Sequence, residues 1–279
     1  MKPEDFDYLA RFLKESSGLV LGQEKSYLLE SRLTPLVRKW GLSGLDGLIA
    51  EVRKGSNKDL RREVVEAMTT NESFFFRDNR PFDQFRDLVL PHLLKARASS
   101  RRMRILCAAC SSGQEPYSLA MLLEESNLNL KDWKIEIIGT DISTEMLEKA
   151  KKGLYSQFEV QRGLPVKMLV KYFEQIGDRW QIAKVLRDRV QFRYSNLLES
   201  TSELGQFDVI FLRNVLIYFD QQTKSEVLTR ISKQLAPDGF LYLGGAETVL
   251  GVSDRLQLMP GQRGIYCLKD TAKAKAAAG

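Results

Sequence analysis

The texture of the chain changes at Met103, and that change constrains the fold more than any other feature of the sequence. Before it, apolar residues recur only at helical spacing. Phe6, Leu9, Phe12 and Leu13 form one such set, and Leu29, Leu33, Leu36, Val37 and Trp40 a second. Leu45, Leu48, Ile49 and Val52 form a third, and Leu60, Val64, Val65 and Met68 a fourth. Pro35 lies inside the second helix and is expected to kink or split it, with Gly41 as its stop. After Met103, short apolar runs alternate with helices. Arg104–Cys110 reads as a strand that ends in small residues, and Leu119, Leu122 and Leu123 mark the helix that follows. Lys134–Asp141 is a second strand and Ser143 to Lys152 a second helix. Val190–Tyr194, Phe207–Leu212, Phe240–Leu243 and Gly264–Leu268 are later strands, with a helix from Gln221 to Leu235 among them. This alternation predicts an α/β fold with a mostly parallel sheet covered on both faces.

Residues 154–189 break the alternation. Trp180–Ala183, after Gly177 and Asp178, reads as half of a hairpin, so a small antiparallel β-subdomain is expected there. The expected division is a helical domain over 1–75, a linker and first helix over 76–102, and a sheet domain over 103–270. The Ala/Lys-rich residues 271–279 are expected to be a disordered tail.

With 279 residues, 43% of them hydrophobic, the chain has enough apolar material for one sizeable core and a smaller unit. Its formal charge of +6 is concentrated, because residues 81–110 alone carry six Lys/Arg against two Asp/Glu. A basic patch around Arg86–Arg104 suits nucleic acid, a membrane surface or an acidic protein, and a solvated helix end equally well. Three cysteines argue against a disulfide framework. Cys107 and Cys110 have C-x-x-C spacing on a strand, where buried packing is the ordinary reading, and no metal site is expected. His92, the only histidine, follows Pro91 on an expected helix, and no histidine chemistry is indicated. The amino terminus leads into an amphipathic segment, and no apolar run approaches membrane-spanning length. The expectation is a cytoplasmic protein without membrane insertion.

In open α/β sheets ligands bind at the carboxyl ends of the strands. Three features fall at expected strand ends: the Ala109–Glu115 segment, Asp141, and Arg213-Asn214. The first lacks the G-x-G-x-x-G pattern that brings backbone against a pyrophosphate, and no phosphate loop occurs. It has one glycine, Gly113, followed by Glu115. A carboxylate there would repel a pyrophosphate and suits a cationic group. An acid at the second strand end is placed to accept ribose hydroxyls. These features suit a phosphate-free, cationic nucleoside such as S-adenosylmethionine. Small-residue loops and strand-end aspartates also serve packing and capping, so that reading stands beside the first.

Five segments, taken in order, carry a resemblance: Thr69–Arg77 (TTNESFFFR), Gly113–Ser118 (GQEPYS), Thr140-Asp141-Ile142, Ser195–Leu198 (SNLL) and Arg213–Phe219 (RNVLIYF). Together they resemble the motif series of the chemotaxis protein methyltransferases of CheR type, over about residues 5–269. The resemblance implies a Rossmann-like class I methyltransferase sheet with a small N-terminal helical domain. It implies that Asn71, Ser73 and Arg77 reach the cofactor from the linker. Glu115 corresponds to the carboxylate near its methionine end and Asp141 to the one on its ribose. Asn196 and Leu197 correspond to residues beside the adenine, and Asn214 to a further contact. Arg77 and Tyr218 correspond to polar groups next to the transferred methyl. Read without the resemblance, Arg77 would pair with Asp78 or Glu72, and Tyr218 would pack beside Phe219.

The implied reaction moves a methyl group from S-adenosylmethionine to glutamate carboxylates on chemoreceptor cytoplasmic domains, leaving S-adenosylhomocysteine. The Pro-Pro pair common after this strand in enzymes that methylate exocyclic amines is missing here, which disfavours a nucleic-acid substrate. The alternative is a signalling protein that binds the cofactor or a nucleotide without turnover. Lys25, Arg32 and Lys39, spaced by seven, form either an ordinary solvated face or the basic helix face that meets an acidic receptor in the family. Some members grip a receptor's C-terminal peptide with the β-subdomain hairpin. The short turn Glu174–Arg179 here predicts action without that tether.

Overall fold

The computed structural model describes residues 2–126 and 128–269, so the expected tail at 271–279 lies outside the described residues. Two compact units emerge. One is Met1–Thr70 together with Tyr218–Thr223, and the other is Asn71–Ile217 with the chain from Lys224 onward.

The first unit packs α1 (Pro3–Ser17), α2 (Ser26–Lys39), α3 (Leu45–Lys54) and α4 (Lys58–Met68). The apolar sets named above are its core: Leu9, Leu13, Leu29, Leu33, Leu48, Val52, Leu60 and Val64 are buried. Pro35 does not split α2, which runs unbroken from Ser26 to Lys39. Two of the three residues of the basic stripe are engaged within the unit. Arg32 donates to the carbonyls of Met68 and Thr69 at 2.8 and 2.9 Å, capping the end of α4, and Lys39 pairs with Glu63 at 2.8 Å. Lys25 stands in a short turn before α2. The segment Tyr218–Thr223 is tied into this unit at the end of α1. Val20 N–H donates to the Tyr218 carbonyl at 3.0 Å, Lys14 pairs with Asp220 at 2.6 Å, and Phe219 packs on Gly18. Gly18 closes α1 at φ 79, and a Cβ there would meet the Phe219 ring at 3.0 Å.

The second unit opens with α5 (Arg80–Gln84) and α6 (Leu90–Ala96), joined through a wider helical turn over Phe85–Val89. Its main sheet takes β1 (Arg102–Ala108), β2 (Lys134–Asp141), β6 (Val190–Tyr194), β7 (Phe207–Leu212), β8 (Leu235–Leu243), β9 (Leu256–Leu258) and β10 (Ile265–Leu268). Helices α7 (Gln114–Glu125), α8 (Thr144–Lys152) and α12 (Gln221–Gln234) connect them. Strand order is β6-β2-β1-β7-β8-β10-β9, parallel except where β10 runs antiparallel to β8 and β9. Every residue of β7 is buried, as a strand covered on both faces requires. Phe211 stacks on Tyr242 with ring centroids 4.4 Å apart, and Phe82 and Phe85 pack against Phe211. The chain leaves β1 toward β2 on one side and β7 on the other, so the order reverses at the carboxyl end of β1.

The excursion is a three-stranded antiparallel sheet of β3 (Leu154–Ser156), β5 (Arg179–Ile182) and β4 (Phe173–Ile176) in the order β3-β5-β4. Short helices α9 (Gln157–Gln161), α10 (Val166–Tyr172) and α11 (Lys184–Arg187) surround it. A two-residue turn, Gly177-Asp178, closes the hairpin with Gly177 at φ 62. Three sequence expectations shift. The chain passes between the units at Thr70–Asn71 instead of near 75, because Phe75 packs edge-on against Tyr155 and Phe173 of the second unit. Strand β8 begins at Leu235, since its pairing with β7 jumps from Phe207–Leu235 to Val209–Phe240 across an irregular stretch containing Pro237 and Gly239. Four of the six basic residues over 81–110 are held in ion pairs, Arg86 with Asp83 and Asp87, Arg97 with Asp208 and Asp238, Arg101 with Asp132, and Arg104 with Glu136.

The Lys14 ammonium, with the Thr223 N–H, holds the Asp220 carboxyl well below its ordinary value of 3.8. A depressed carboxylate adds stability above its unfolded pKa and loses it as pH falls. Asp220→Asn is therefore expected to melt below the parent at about pH 6, with the gap narrowing as pH falls from about 5 toward about 2. A gap that stays constant in melting curves across that range would contradict the pairing.

Candidate functional site

Four loops at the carboxyl ends of β1, β2, β7 and β8 converge in the second unit. The first, Ala109–Gly113, places alternate residues in the left-handed region, with Ala109 at φ 56, Ser111 at φ 50 and Gly113 at φ 89. Such a backbone survives only where its surroundings enforce it. Cys110 N–H donates to the Thr140 carbonyl at 2.9 Å, and Ser111 N–H donates to Asp141 Oδ2 at 2.7 Å. Ser111 Oγ donates to the Asn71 carbonyl at 2.9 Å, and the Tyr155 hydroxyl donates to the Ser112 carbonyl at 2.8 Å. Gly113 is required on two counts. Its φ is left-handed, and a Cβ would sit 2.9 Å from the Ala150 Cβ.

Asp141 is buried at the end of β2, where its second oxygen accepts the Ser143 N–H at 2.9 Å. Both oxygens thus tie down the loops on either side. Asn196, also buried, accepts the Leu198 N–H at 3.0 Å, and the Leu197 carbonyl accepts from Arg230 at 3.4 Å. Ser73 is half-buried on the segment that carries Asn71.

Arg213, which the sequence marked only as a strand end, joins three segments. Its side chain is 2% exposed. Nη1 donates to Glu115 Oε2 at 2.8 Å, and Nη2 donates to Asp78 Oδ2 at 2.7 Å and to the Arg77 carbonyl at 2.9 Å. Burial pushes the Glu115 carboxyl up, and the Arg213 charge beside it pulls the other way. Glu115 therefore meets the site as half of an ion pair, not as the lone carboxylate the sequence suggested. Burial, and then the Glu115 charge, raises the Cys107 thiol well above the ordinary thiol range. All three cysteines are free and buried, and no cluster able to hold a metal occurs among the described residues.

Arg77 lies in a turn where Phe76, Asp78 and Asn79 take positive φ. Phe76 N–H donates to Ser118 Oγ at 3.0 Å, anchoring the turn on α7. Neither sequence neighbour pairs with Arg77. Glu72 is engaged by Arg162 and Asp78 by Arg213. The Arg77 guanidinium donates to the Glu72 carbonyl at 3.0 Å, lies over the Phe74 ring, and makes no ion pair among the described residues. Asn214 has φ 59, and its Oδ1 is buried with no hydrogen-bond partner. A residue that sequence did not single out, Glu247, sits behind it after β8 and accepts backbone N–H groups from Asn214, Val215, Leu216 and Gly244. Tyr218 is half-buried and groups with the helical unit.

Two family models match, the CheR methyltransferase all-alpha domain over residues 4–69 and the CheR methyltransferase SAM binding domain over residues 71–265. The chain belongs to the CheR methyltransferase family. Similar proteins include "Chemotaxis protein methyltransferase Cher2" of Pseudomonas putida, 41% identical over 94% of this chain and 96% of that one. "Chemotaxis protein methyltransferase 1" of Pseudomonas aeruginosa is 43% identical with the same coverage. A TehB-like SAM-dependent methyltransferase from Corynebacterium glutamicum, 16% identical, covers 69% of this chain and 97% of its own at a TM-score of 0.38, too loose to add to the topology above. S-adenosylmethionine is the cofactor of the CheR domain, and the site fits it. A buried acceptor at Asn214 awaits a donor, the first loop offers a backbone without bulky side chains, and no phosphate loop is present.

Arg213→Met is expected to cost about 3–5 kcal/mol, because Glu115 would stay buried without its cation. The same exchange at Arg77 is expected to stay within about 1 kcal/mol. Urea unfolding of the two variants tests this contrast, and equal losses would contradict it.

Proposed function

We propose that the chain transfers the methyl group of S-adenosylmethionine to glutamate carboxylates on the cytoplasmic helices of chemoreceptors, forming methyl esters. The relatives' names, chemotaxis protein methyltransferases, support the pathway. The observation that carries the chemistry is Arg77, a guanidinium whose neighbouring acids are engaged by other arginines. Such a group suits an incoming carboxylate.

The cofactor supplies an electrophilic methyl on a positively charged sulfur. A glutamate side chain is already ionised at neutral pH, so the site needs no general base. The residues of the chain bind, orient and exclude water. We assign Asp141 to the ribose, Asn196 and Leu197 to the adenine, and Glu115 with Asn71, Ser73 and Asn214 to the methionine end. Arg77 and Tyr218 orient the substrate carboxylate in line with the methyl–sulfur bond. As one carboxylate oxygen bonds to the methyl, the carbon–sulfur bond breaks and its electron pair stays on sulfur, giving S-adenosylhomocysteine. Orientation of this kind supplies about 7–11 kcal/mol at best. We take the chain to act in the cytoplasm and without a peptide tether, the latter consistent with the two-residue hairpin turn.

Incubation with methyl-labelled cofactor and a receptor cytoplasmic fragment should give base-labile label on the fragment and none on RNA or DNA. Arg77→Ala should lower kcat/KM about a hundredfold while cofactor affinity changes less. Asp141→Asn should raise the Kd for S-adenosylhomocysteine about tenfold. Tight cofactor binding with no transfer would leave a binding protein and end the enzymatic reading.

A further inference from the structure

We infer that Glu247 is a positioning residue, fixing Asn214 so that its side-chain oxygen faces the cofactor. This rests on the assignment of Asn214 as a cofactor contact. After β7 the chain must turn sharply, and Asn214 enters the left-handed region at φ 59. The turn leaves three consecutive N–H groups, those of Asn214, Val215 and Leu216, without strand partners. Unpaired and buried, such donors are costly.

Glu247 takes up all three and one more. Oε2 accepts the Asn214 N–H at 2.8 Å and the Gly244 N–H at 2.6 Å, and Oε1 accepts those of Val215 and Leu216 at 2.9 and 2.7 Å. The residue is buried and makes no ion pair among the described residues, so backbone dipoles alone balance its charge. Gly244 gives an independent sign of how closely the parts fit. A Cβ there would lie 2.7 Å from Glu247 Oε2 and 2.9 Å from Asn214 Nδ2. The two side chains meet over a space that only glycine leaves open. Against that support stands Asn214 Oδ1, buried and without a partner. A capping acid for a turn would need no such neighbour. An acceptor held rigid and left unsatisfied complements a donor of the ligand, an ammonium or a hydroxyl.

The test is a double-mutant cycle on the full chain, reading the Kd for S-adenosylhomocysteine by calorimetry and the melting temperature beside it. Asn214→Ala and Glu247→Gln should each raise Kd about tenfold. Because one acts through the other, the double variant should bind within about twofold of the weaker single variant. Independent effects would instead multiply to about a hundredfold, and that result, or wild-type affinity in Glu247→Gln, overturns the inference while Asn214 keeps its assignment. Wild-type affinity in Asn214→Ala overturns the assignment and the inference with it. A fall in melting temperature without a change in Kd marks Glu247 as structural only, again overturning the proposal. If Glu247→Gln does not fold, Glu247→Asp, which keeps the charge but shortens its reach, is carried through the same cycle with the same expectations.

Discussion

The buried guanidinium of Arg213 is the constraint on which the site depends. A cation out of water needs partners at every turn. Here Nη1 and Nη2 find them in the first turn of α7, the side chain of Asp78 and the backbone of Arg77, while the buried Nε has none among the described residues. These groups lie far apart in sequence, and one planar fork fixes their mutual geometry. Desolvation of the cation is met by two carboxylates, and the local charge that remains is small. That explains why a loop with an acid at its helix start does not behave as an isolated anion. It also explains why Arg77, one peptide unit from the bridge, can stay without an internal ion pair.

Backbone strain gathers in the same places. The described non-glycine residues with positive φ are Phe76, Asp78, Asn79, Arg101, Ala109, Ser111 and Asn214, and all but Arg101 lie in loops that carry candidate site residues. For a bulky residue such as Phe76 this conformation is a real cost. Ser118 holds Phe76, Asp141 holds Ser111, and Glu247 holds Asn214. In each case a side chain from another element offsets the strain with a hydrogen bond to the strained residue's own N–H. The protein thus fixes its loops by their peptide groups and leaves side chains to meet ligands.

Much of this was legible in the sequence. The apolar runs named every strand of the main sheet except β9, whose three residues are too short to show a period. Ser143, read as a helix start, caps α8 by accepting the Met146 N–H. Asp141, Asn214 and Gly113 stood out because they fall at strand ends, where ligands bind in an open α/β sheet. Arg213 was seen only as a strand end and Glu247 not at all. Their roles arise from contacts with residues tens of positions away, and no local spacing encodes those. Counting charges along the chain does not reveal the pairs of Arg97, Arg101, Arg104, Arg32 and Lys39, whose partners are remote, whereas Arg86 pairs with Asp83 and Asp87 beside it.

The short segment Tyr218–Thr223 has a consequence for modularity. The family boundary near residue 70 suggests two exchangeable pieces, a helical one and a catalytic one. Yet the helical piece is completed by six residues encoded far downstream, through Lys14, Gly18 and Val20. A chimera that takes its first seventy residues from a relative would pair one protein's α1 with another's Tyr218–Asp220. Substitutions in one stretch therefore act on the packing of the other. The unit of inheritance for the helical domain is not a contiguous piece of sequence.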